Sequence, residues 1–356
     1  MPGYELINKK EKQAVIDLFD EGGVLFAHGF QNKRKHFHVR EFEKKICKKV
    51  NSKYALAVSS GSAAVKIALK TVGVRAGDEV ITQAFNFIAC VEAILEIGAI
   101  PIICNIDKTL NMDIDELGKI ITPKTKAILA VHMLGVPADM LSINQLAKKY
   151  NIPVVEDNCE ALGSFIGKKY AGTVADIGVL SFDFGKTITT GEGGALLTNK
   201  KLYDKFAREY RDHGHECNPK FPRGMDTRKI QGFNYRMSEM QAVVGKVQLS
   251  KLDKIIRDSK ARYKCLEPIF KSKCRPIVKN TFPNYDTFIF HEVNANIRKK
   301  VIEILNKEKF GTKNLPDAID WHSAHRWDHL LSKDTINKIR KSDMLLTESI
   351  AIPIFL

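Results

Sequence analysis

The chain has 356 residues, a length that suggests about two domains and supplies enough apolar residues for a buried core. Hydrophobic residues make up 44% and charged residues 27%, which excludes a disordered or collagen-like chain. The formal net charge of +15 fits either a nucleic-acid binder or an enzyme with anionic substrates. Because the lysines are spread along the chain in pairs without a basic tail, a general lysine bias is favoured over a DNA-binding surface.

The seven cysteines and the N-terminus bear on the cellular location. The cysteines are odd in number and form no C-x-x-C pair, and no histidine spacing is typical of a zinc site, which predicts reduced thiols and no metal. The N-terminus has no apolar run, and the longest apolar stretch, 89–104, is interrupted by Glu92, Glu96, Gly98 and Pro101. We therefore expect a cytoplasmic protein that is neither exported nor inserted in a membrane.

In chain order, the apolar pattern predicts an N-terminal arm, an alternating α/β region and a smaller C-terminal part. Residues 8–50 form two helical pieces around a polar loop at 28–36. From about residue 54, short apolar strands alternate with helical stretches as far as residue 182, which is typical of a largely parallel sheet with helices on both faces. An amphipathic helix from residue 240 to about 271 then leads into shorter mixed segments.

The predicted division is a large domain at 1–245, which includes the arm, and a smaller α/β domain at 246–356. Whether the chain is naturally short or truncated at its C-terminus stays open. Ligands of parallel sheets bind at the carboxyl ends of the strands, where this sequence places the loops at 59–61, 157–159 and 183–186. We expect the functional site at this edge.

The first motif is the small, hydroxyl-bearing turn Ser-Ser-Gly-Ser at 59–62, between a predicted strand and a predicted helix. A helix N-terminus with free N–H groups suits a phosphate. The alternative is a serine N-cap on an ordinary helix.

The second motif is an apolar strand that ends in Glu156 and Asp157. A carboxylate at a strand end can hold a protonated ring nitrogen as an ion pair. A solvated aspartate at the end of a strand is the alternative.

The third motif is Ser-Phe-Asp-Phe-Gly-Lys at 181–186, followed by Gly-Glu-Gly-Gly at 191–194. A lysine on a turn among small residues is the setting expected for a Schiff-base lysine that a bulky cofactor must reach. The alternative is a surface Lys186 before a glycine hairpin.

The order and spacing of these motifs resemble the fold type I enzymes that depend on pyridoxal 5'-phosphate (PLP), and among them the DegT/StrS-type sugar aminotransferases. The resemblance runs from about residue 8 to 270. It implies an α/β fold of PLP-dependent transferase fold type I, with a large mixed, mostly parallel sheet sandwiched by helices and a smaller C-terminal α/β domain.

The resemblance also implies roles for individual residues. Lys186 is the expected Schiff-base lysine and proton shuttle, and Asp157 is the expected partner of the pyridine nitrogen. A lysine that attacks a carbonyl at neutral pH needs a lowered pKa, which burial and the cofactor's charge can supply. The other implied cofactor-binding residues are Gly61, Ser62 and Ser181 at the phosphate, Phe87 stacked on the ring and Glu160 near the phenolic oxygen.

A fourth motif, Gly-Phe-Asn-Tyr-Arg-Met-Ser-Glu at 232–239, is similar to a family box whose asparagine reaches the phosphate of a neighbouring subunit. Asn234 therefore implies a homodimer with shared active sites. Read without the family, the motif is a helix N-terminus with Ser238 as a cap. Candidate substrate residues are His213, His215 and Arg236, each with an ordinary polar loop residue as its alternative.

The resemblance implies ping-pong transfer of an amino group from L-glutamate to an oxo-sugar for cell-surface polysaccharide. A dehydratase subgroup carries histidine in place of the lysine, so Lys186 disfavours dehydration. The segment 211–216, the Ser-Phe-Asp triplet at 181–183 and the opening Met-Pro-Gly-Tyr-Glu-Leu are similar to the subgroup that makes 8-amino-3,8-dideoxy-manno-octulosonate. This resemblance implies 8-oxo-3,8-dideoxy-manno-octulosonate as acceptor, giving the 8-amino sugar of lipopolysaccharide. The alternative acceptor is a nucleotide-activated 3-keto or 4-keto hexose, with the aromatic and basic cluster 321–327 at the substrate mouth.

A PLP-fold regulator that binds DNA is a further alternative, but the chain has no appended helix-turn-helix segment. We therefore expect no nucleic-acid partner.

Overall fold

A computed structural model describes residues 3–216, 220–221, 225–309 and 315–356. The helices are α1 (Lys9–Asp20), α2 (His38–Val50), α3 (Gly61–Thr71), α4 (Ala89–Glu96), α5 (Ile114–Ile120), α6 (Met140–Tyr150), α7 (Lys201–Arg211), α8 (Glu239–Phe270), α9 (Ala295–Lys307), α10 (Ile319–His322), α11 (Lys333–Lys338) and α12 (Arg340–Thr347). The strands are β1 (Tyr54–Val58), β2 (Glu79–Gln83), β3 (Ile100–Cys104), β4 (Thr125–Val131), β5 (Val154–Asp157), β6 (Phe165–Ile166), β7 (Lys169–Tyr170), β8 (Ile177–Ser181), β9 (Gly194–Thr198), β10 (Thr281–Phe282), β11 (Thr287–His291) and β12 (Ser349–Pro353).

The central sheet has seven strands in the order β1-β9-β8-β5-β4-β2-β3. Strands β8, β5, β4, β2 and β3 pair in parallel, and β9 runs antiparallel to both β8 and β1. Every residue of β5, β8 and β9 is buried, as expected of strands that helices cover on both faces. The predicted large, mostly parallel sheet between helices is confirmed.

The carboxyl ends of the parallel strands meet at one edge of the sheet. Strand β5 ends at Asp157 and β8 ends at Ser181, while β1 leads through Ser60 into α3. Because β1 and β8 both flank the antiparallel β9, their ends lie on the same side. The three predicted loops are thereby brought to one edge.

Helix α8 joins the two parts of the chain. Its N-terminus is closed by a capping box, in which the Ser238 hydroxyl accepts from Gln241 N at 3.3 Å and Gln241 Oε1 accepts from Ser238 N at 2.8 Å, as the fourth motif predicts. Its first half packs on α2, and its last turns pack on β11, where Tyr263 meets Phe288 edge to face at 4.9 Å. The boundary predicted at 245/246 falls inside this continuous helix and stays a prediction.

The C-terminal part does not stand apart from the sheet. It forms the two-stranded antiparallel pair β11–β12 with α9, and β10 pairs with β6 of the large domain. The fully buried Trp327 packs with Ala84, Ile88 and Val91 beside the strand edge. The C-terminal segments therefore return to the edge where the predicted site residues lie.

Among the residues with described placement, no helix combines the length and the apolar character that crossing a bilayer requires.

The contact of α8 with α2 depends on a glycine. A Cβ atom at Gly245 would lie 2.6 Å from Phe42 Cζ, and the Phe42 ring is fully buried against Phe182 with centroids 5.3 Å apart. We expect Gly245→Ala to lower the free energy of unfolding by about 1–3 kcal/mol through overpacking, measured by urea denaturation. Gly118 in α5 is the matched control, because its Cβ would meet only Leu146 at 3.8 Å, and Gly118→Ala should raise stability by up to about 1 kcal/mol. Equal effects of the two substitutions would contradict the close packing.

Candidate active site

A cavity of about 590 Å³ opens at the carboxyl edge of the sheet. Its walls come from the strand ends, from the first turn of α3 and from the C-terminal segment around α10. The residues that line it are Ser60, Gly61, Ser62, Val65, Phe87, Ala89, Cys90, Val131, Met133, Asp157, Cys159, Glu160, Ser181, Asp183, Lys186, Glu192, Ala318, Trp321 and His322. All the cofactor-binding residues predicted within one chain lie in this wall, and Asn234 does not.

The side chains of Lys186 and Glu160 form an ion pair in the cavity, with Lys186 Nζ 3.0 Å from Glu160 Oε1. Glu160 Oε2 also accepts from Leu134 N at 3.2 Å, and His322 Nε2 lies 3.7 Å from Oε1. Because the His322 Nδ1–H donates to Ala318 O at 2.9 Å, the Nε2 atom is the ring nitrogen that faces the carboxylate. The Glu160 carboxylate thus accepts from Lys186 Nζ and from Leu134 N, and the His322 ring lies beside it.

Two opposing effects set the protonation of this pair. Burial by itself would raise the pKa of Glu160, but the charges of Lys186 and His322 outweigh it and hold that pKa below its usual range. Burial by itself would lower the pKa of Lys186, but the Glu160 carboxylate outweighs it and raises that pKa above its usual range. In this arrangement the pKa of Lys186 is raised because a carboxylate lies within hydrogen-bond distance of the amine. The lowered pKa expected in the presence of the cofactor's charge stays a prediction.

The lysine lies on a short turn that backbone bonds close. Lys186 N donates to Asp183 O at 3.0 Å, and the Asp183 carboxylate accepts from Gly185 N at 2.8 Å. On the outer side, Gly3 N donates to Lys186 O at 3.1 Å, and Tyr4 stacks on Phe184 with centroids 5.2 Å apart. The N-terminal segment thereby braces the turn that carries the lysine.

Asp157 is buried at the end of β5, with 4% of its surface exposed. Its Oδ1 accepts from Cys159 N at 2.9 Å, and the Cys90 thiol donates to Oδ2 at 3.2 Å. Burial, together with the Asp157 charge, raises the pKa of the Cys90 thiol well above its usual range, so the thiol stays protonated as a donor. No motif of the sequence points to Cys90, which lies in the distant α4.

The first turn of α3 presents backbone N–H groups to the cavity. Ser60 caps the helix by accepting from Ala63 N at 3.1 Å, so the serine N-cap that the sequence offered as the alternative is present. A Cβ atom at Gly61 would lie 2.8 Å from Ser181 Cβ, which means that only glycine lets the two loops approach this closely. Ser62 stays exposed beside them. The result is a narrow cradle of hydroxyl and N–H groups.

Aromatic side chains line the mouth. Phe87 is 41% exposed and lies parallel to Trp321 with centroids 6.5 Å apart, while His322 tilts against Phe87 at 5.6 Å. The predicted cluster 321–327 therefore splits, since Trp321 and His322 line the cavity and Trp327 is buried in the core.

Three predicted substrate residues lie outside this cavity. Arg236 pairs with Asp212, and His215 Nδ1 lies 3.0 Å from Asp226 Oδ1. His213 is exposed, and its backbone has a φ of +55°. The expectation that they line the site is not met within one chain, because Arg236 and His215 pair with aspartates outside the cavity and His213 faces solvent. Asn234 lies on the same surface, where its backbone forms a bridge with Asp212.

No group of three or more His, Cys, Asp or Glu side chains in the described ranges is arranged to hold a metal ion.

Comparison with known proteins identifies the family. The model of the DegT/DnrJ/EryC1/StrS aminotransferase family matches residues 26–355. GDP-perosamine synthase of Escherichia coli O157:H7 is 36% identical over 291 residues, which cover 81% of this chain and 75% of that protein.

Solved structures share the fold. The aminotransferase from Psychrobacter cryohalolentis has a TM-score of 0.84 at 26% identity, covering 98% of this chain and 92% of that one. The E. coli GDP-4-keto-6-deoxy-D-mannose-3-dehydratase with bound hydrated PLP has a TM-score of 0.83 at 24% identity, with coverage of 98% and 93%. The chain belongs to the DegT/DnrJ/EryC1/StrS family and is a PLP-dependent sugar aminotransferase, which confirms the predicted family.

The ion pair makes a prediction about the amine. Glu160→Gln removes the negative charge that raises the pKa of Lys186 but keeps the burial that lowers it. The pKa of Lys186 should therefore fall, and the neutral fraction of the amine at neutral pH should rise. We expect reductive methylation of the PLP-free protein, followed by peptide mass spectrometry, to label Lys186 at least about ten-fold faster, as a fall of one pKa unit requires. Lys66, buried and paired with Glu96, is the internal control and should label at an unchanged rate. An unchanged rate at Lys186 would show that Glu160 does not set its pKa.

Proposed function

We propose that this enzyme transfers the amino group of L-glutamate to a nucleotide-activated 3-keto or 4-keto hexose. The observation that carries the proposal is Lys186 in a cavity that also holds the Asp157 carboxylate and the first turn of α3. The 36% identity to a GDP-perosamine synthase supports a nucleotide-linked sugar as acceptor. The lysine at position 186 supports amino transfer over dehydration.

The free octulosonate acceptor stays a prediction, and the relatives described above support it less well than the nucleotide sugar. Cytoplasmic location also stays a prediction. A DNA-binding regulator gains no support, because the chain belongs to a family of aminotransferases.

The residues of the cavity fit PLP, and the close approach of Gly61 to Ser181 is the observation that tests the fit. A phosphate requires such a cradle at a helix N-terminus, and Gly61, Ser62 and Ser181 would hold it there. Asp157 would hold the ring nitrogen in its protonated form, and Phe87 would cover one face of the ring. When bound, PLP supplies an electron sink for the electrons that the amino acid releases when its Cα proton leaves.

Residues of this chain would then carry out the proton transfers. The neutral amine of Lys186 would be the base that takes the proton from the substrate Cα and delivers it to the C4' carbon of the cofactor. Glu160, 3.0 Å from the amine, would orient Lys186 and lie near the cofactor's phenolic oxygen, while the Leu134 N–H keeps the carboxylate in place. Phe87 and Trp321 would exclude water at the mouth.

A homodimer with shared active sites completes this proposal. Asn234 is exposed outside the cavity, next to Phe233 and Met240, which are 44% and 41% exposed. The described lining of the cavity carries four carboxylates and one lysine, although the chain as a whole has a net charge of +15. Anionic substrates need more positive charge and donors than this lining offers, and a second copy can bring them on the surface around Asn234 and Arg236.

The acceptor can be tested by absorbance. We expect L-glutamate to bleach the visible absorbance of the PLP-loaded enzyme. GDP-4-keto-6-deoxymannose should restore it at least about ten-fold faster than 8-oxo-3,8-dideoxy-manno-octulosonate, because a site built for a nucleotide sugar leaves polar groups unpaired when the nucleotide is missing. Nucleotide-linked 3-keto hexoses are tested in parallel. Faster recovery with the octulosonate would reverse the order of the two acceptors. Lys186→Ala, which should show no glutamate-dependent bleaching, is the control.

Sharing of the site between subunits can be tested by mixing inactive variants. Asn234→Asp puts a carboxylate near the phosphate of the partner's site and should inactivate it by repulsion. If Asn234 acts across the dimer, an equal mixture with Lys186→Ala after subunit exchange should regain about a quarter of the normal activity, since half of the dimers are hybrids with one intact site. Lys186→Ala mixed with Asp157→Ala is the control and should regain none. No recovery in the first mixture would place Asn234 within its own subunit's function.

A further inference from the structure

A buried polar cluster joins the C-terminal part of the chain to the turn that carries Lys186. It consists of Asn284 and Asp286, in the loop between β10 and β11, and of Thr187, which directly follows the lysine. Their exposed fractions are 0%, 1% and 3%. None of the four sequence motifs includes Asn284 or Asp286, and neither residue lines the cavity among the described residues.

The Asn284 amide links the two ends of the Lys186–Glu160 pair. Its Nδ2 lies 3.1 Å from the hydroxyl of Thr187 and 3.1 Å from the backbone oxygen of Glu160, and donates to both. One contact fixes the residue that follows the lysine, and the other fixes the backbone of the residue that carries the carboxylate. A single side chain thereby spans the backbone on both sides of the 3.0 Å ion pair.

Asp286 holds that amide in place. Its Oδ2 lies 3.1 Å from Asn284 Nδ2 and accepts from the Thr187 hydroxyl at 3.4 Å, while Oδ1 accepts from the Thr287 hydroxyl at 3.1 Å. The Asn284 carbonyl in turn accepts from Asp286 N at 3.1 Å. Because every polar atom here is shielded from water, the orientation of the amide is determined by these partners.

Gly135 makes room for the cluster next to Leu134, whose backbone N–H donates to the Glu160 carboxylate. Gly135 has φ +79°, and a Cβ there would lie 2.1 Å from Asn284 Oδ1. Gly135 O accepts from Asn284 N at 3.1 Å, and the preceding Leu134 N–H donates to the Glu160 carboxylate at 3.2 Å. Asn284 therefore contacts the lysine turn, the Glu160 backbone and the loop that holds the Glu160 side chain.

We infer that Asn284 and Asp286 are positioning residues that set the distance between Lys186 and Glu160, so that the β10–β11 loop of the C-terminal part controls the reactivity of the lysine. Loss of the Asn284 amide leaves the Thr187 hydroxyl and the Glu160 carbonyl buried without their shared donor, and the lysine turn can then move relative to the carboxylate. This inference goes beyond the proposed reaction and does not depend on the identity of the sugar.

The test uses the full chain and the variant Asn284→Ala. In the PLP-free protein, a looser ion pair should make reductive methylation of Lys186 about three- to ten-fold faster, as a lowered amine pKa requires. In the PLP-loaded protein, the maximal rate at which L-glutamate bleaches the visible absorbance should fall on the order of 10²-fold, with a much smaller change in the glutamate concentration that gives half the maximal rate. The labelling needs neither glutamate nor sugar, so it can succeed even if the proposed acceptor is wrong.

Asn105→Ala is the matched control. Asn105 is a buried amide that also joins the C-terminal part to the sheet, with Nδ2 2.9 Å from Lys338 O and Oδ1 2.7 Å from the Ser342 hydroxyl, but it does not line the cavity. It should lower thermal stability without changing Lys186 labelling. Unchanged labelling and bleaching in Asn284→Ala would overturn the inference, as would an equal change in both variants.

Thr187 supplies a second measurement if Asn284→Ala does not fold. Thr187→Val removes the hydroxyl at nearly constant volume, and Thr187→Ser keeps it. Faster labelling of Lys186 in the valine variant, with a normal rate in the serine variant, would support the inference. Equal rates in the two variants would overturn it.

Discussion

The buried ion pair between Lys186 and Glu160 is the interaction on which the rest of the site depends. The side chains are 15% and 5% exposed, so both charges have given up most of their water. A buried pair of charges is stable only when its geometry is good and its remaining polar atoms find partners. The Leu134 N–H supplies such a partner to the Glu160 carboxylate, and the His322 ring lies beside it. The Asn284 amide does not touch either charge but donates to the backbone carbonyl of Glu160.

The order and direction of the strands in the sheet position the loops that surround this ion pair. Parallel strands end at one edge, which brings Asp157 and the Lys186 turn together although they lie in different loops. The antiparallel β9 lies between β8 and β1, so β1 and β8 run in the same direction. Helix α3 follows β1 and therefore starts beside the end of β8. The close approach of Gly61 to Ser181 follows from that order. The cradle and the lysine are thus products of one topology.

The C-terminal part also forms a wall of the site. Trp321 and His322 line the cavity, and Trp327 fixes their segment to the strand edge by burial among apolar side chains. The β10–β11 loop contacts the lysine turn through the hydrogen bond from Asn284 to Thr187. Helix α8 connects these regions without a break, which is why a domain boundary cannot be read from composition alone.

The sequence by itself determined the α/β class and the strand–turn–helix motifs that carry Lys186 and Asp157, because each motif depends on a local pattern of apolar strand, small residues and polar strand end. Only the tertiary structure decided that Glu160 raises the pKa of Lys186, that Cys90 donates to Asp157, and that His213, His215 and Arg236 lie away from the cavity. It also decided the role of Asn284, whose partners are 97 and 124 residues away. Local pattern cannot specify such contacts, because the side chains meet only after the sheet has closed and the C-terminal part has packed back on it.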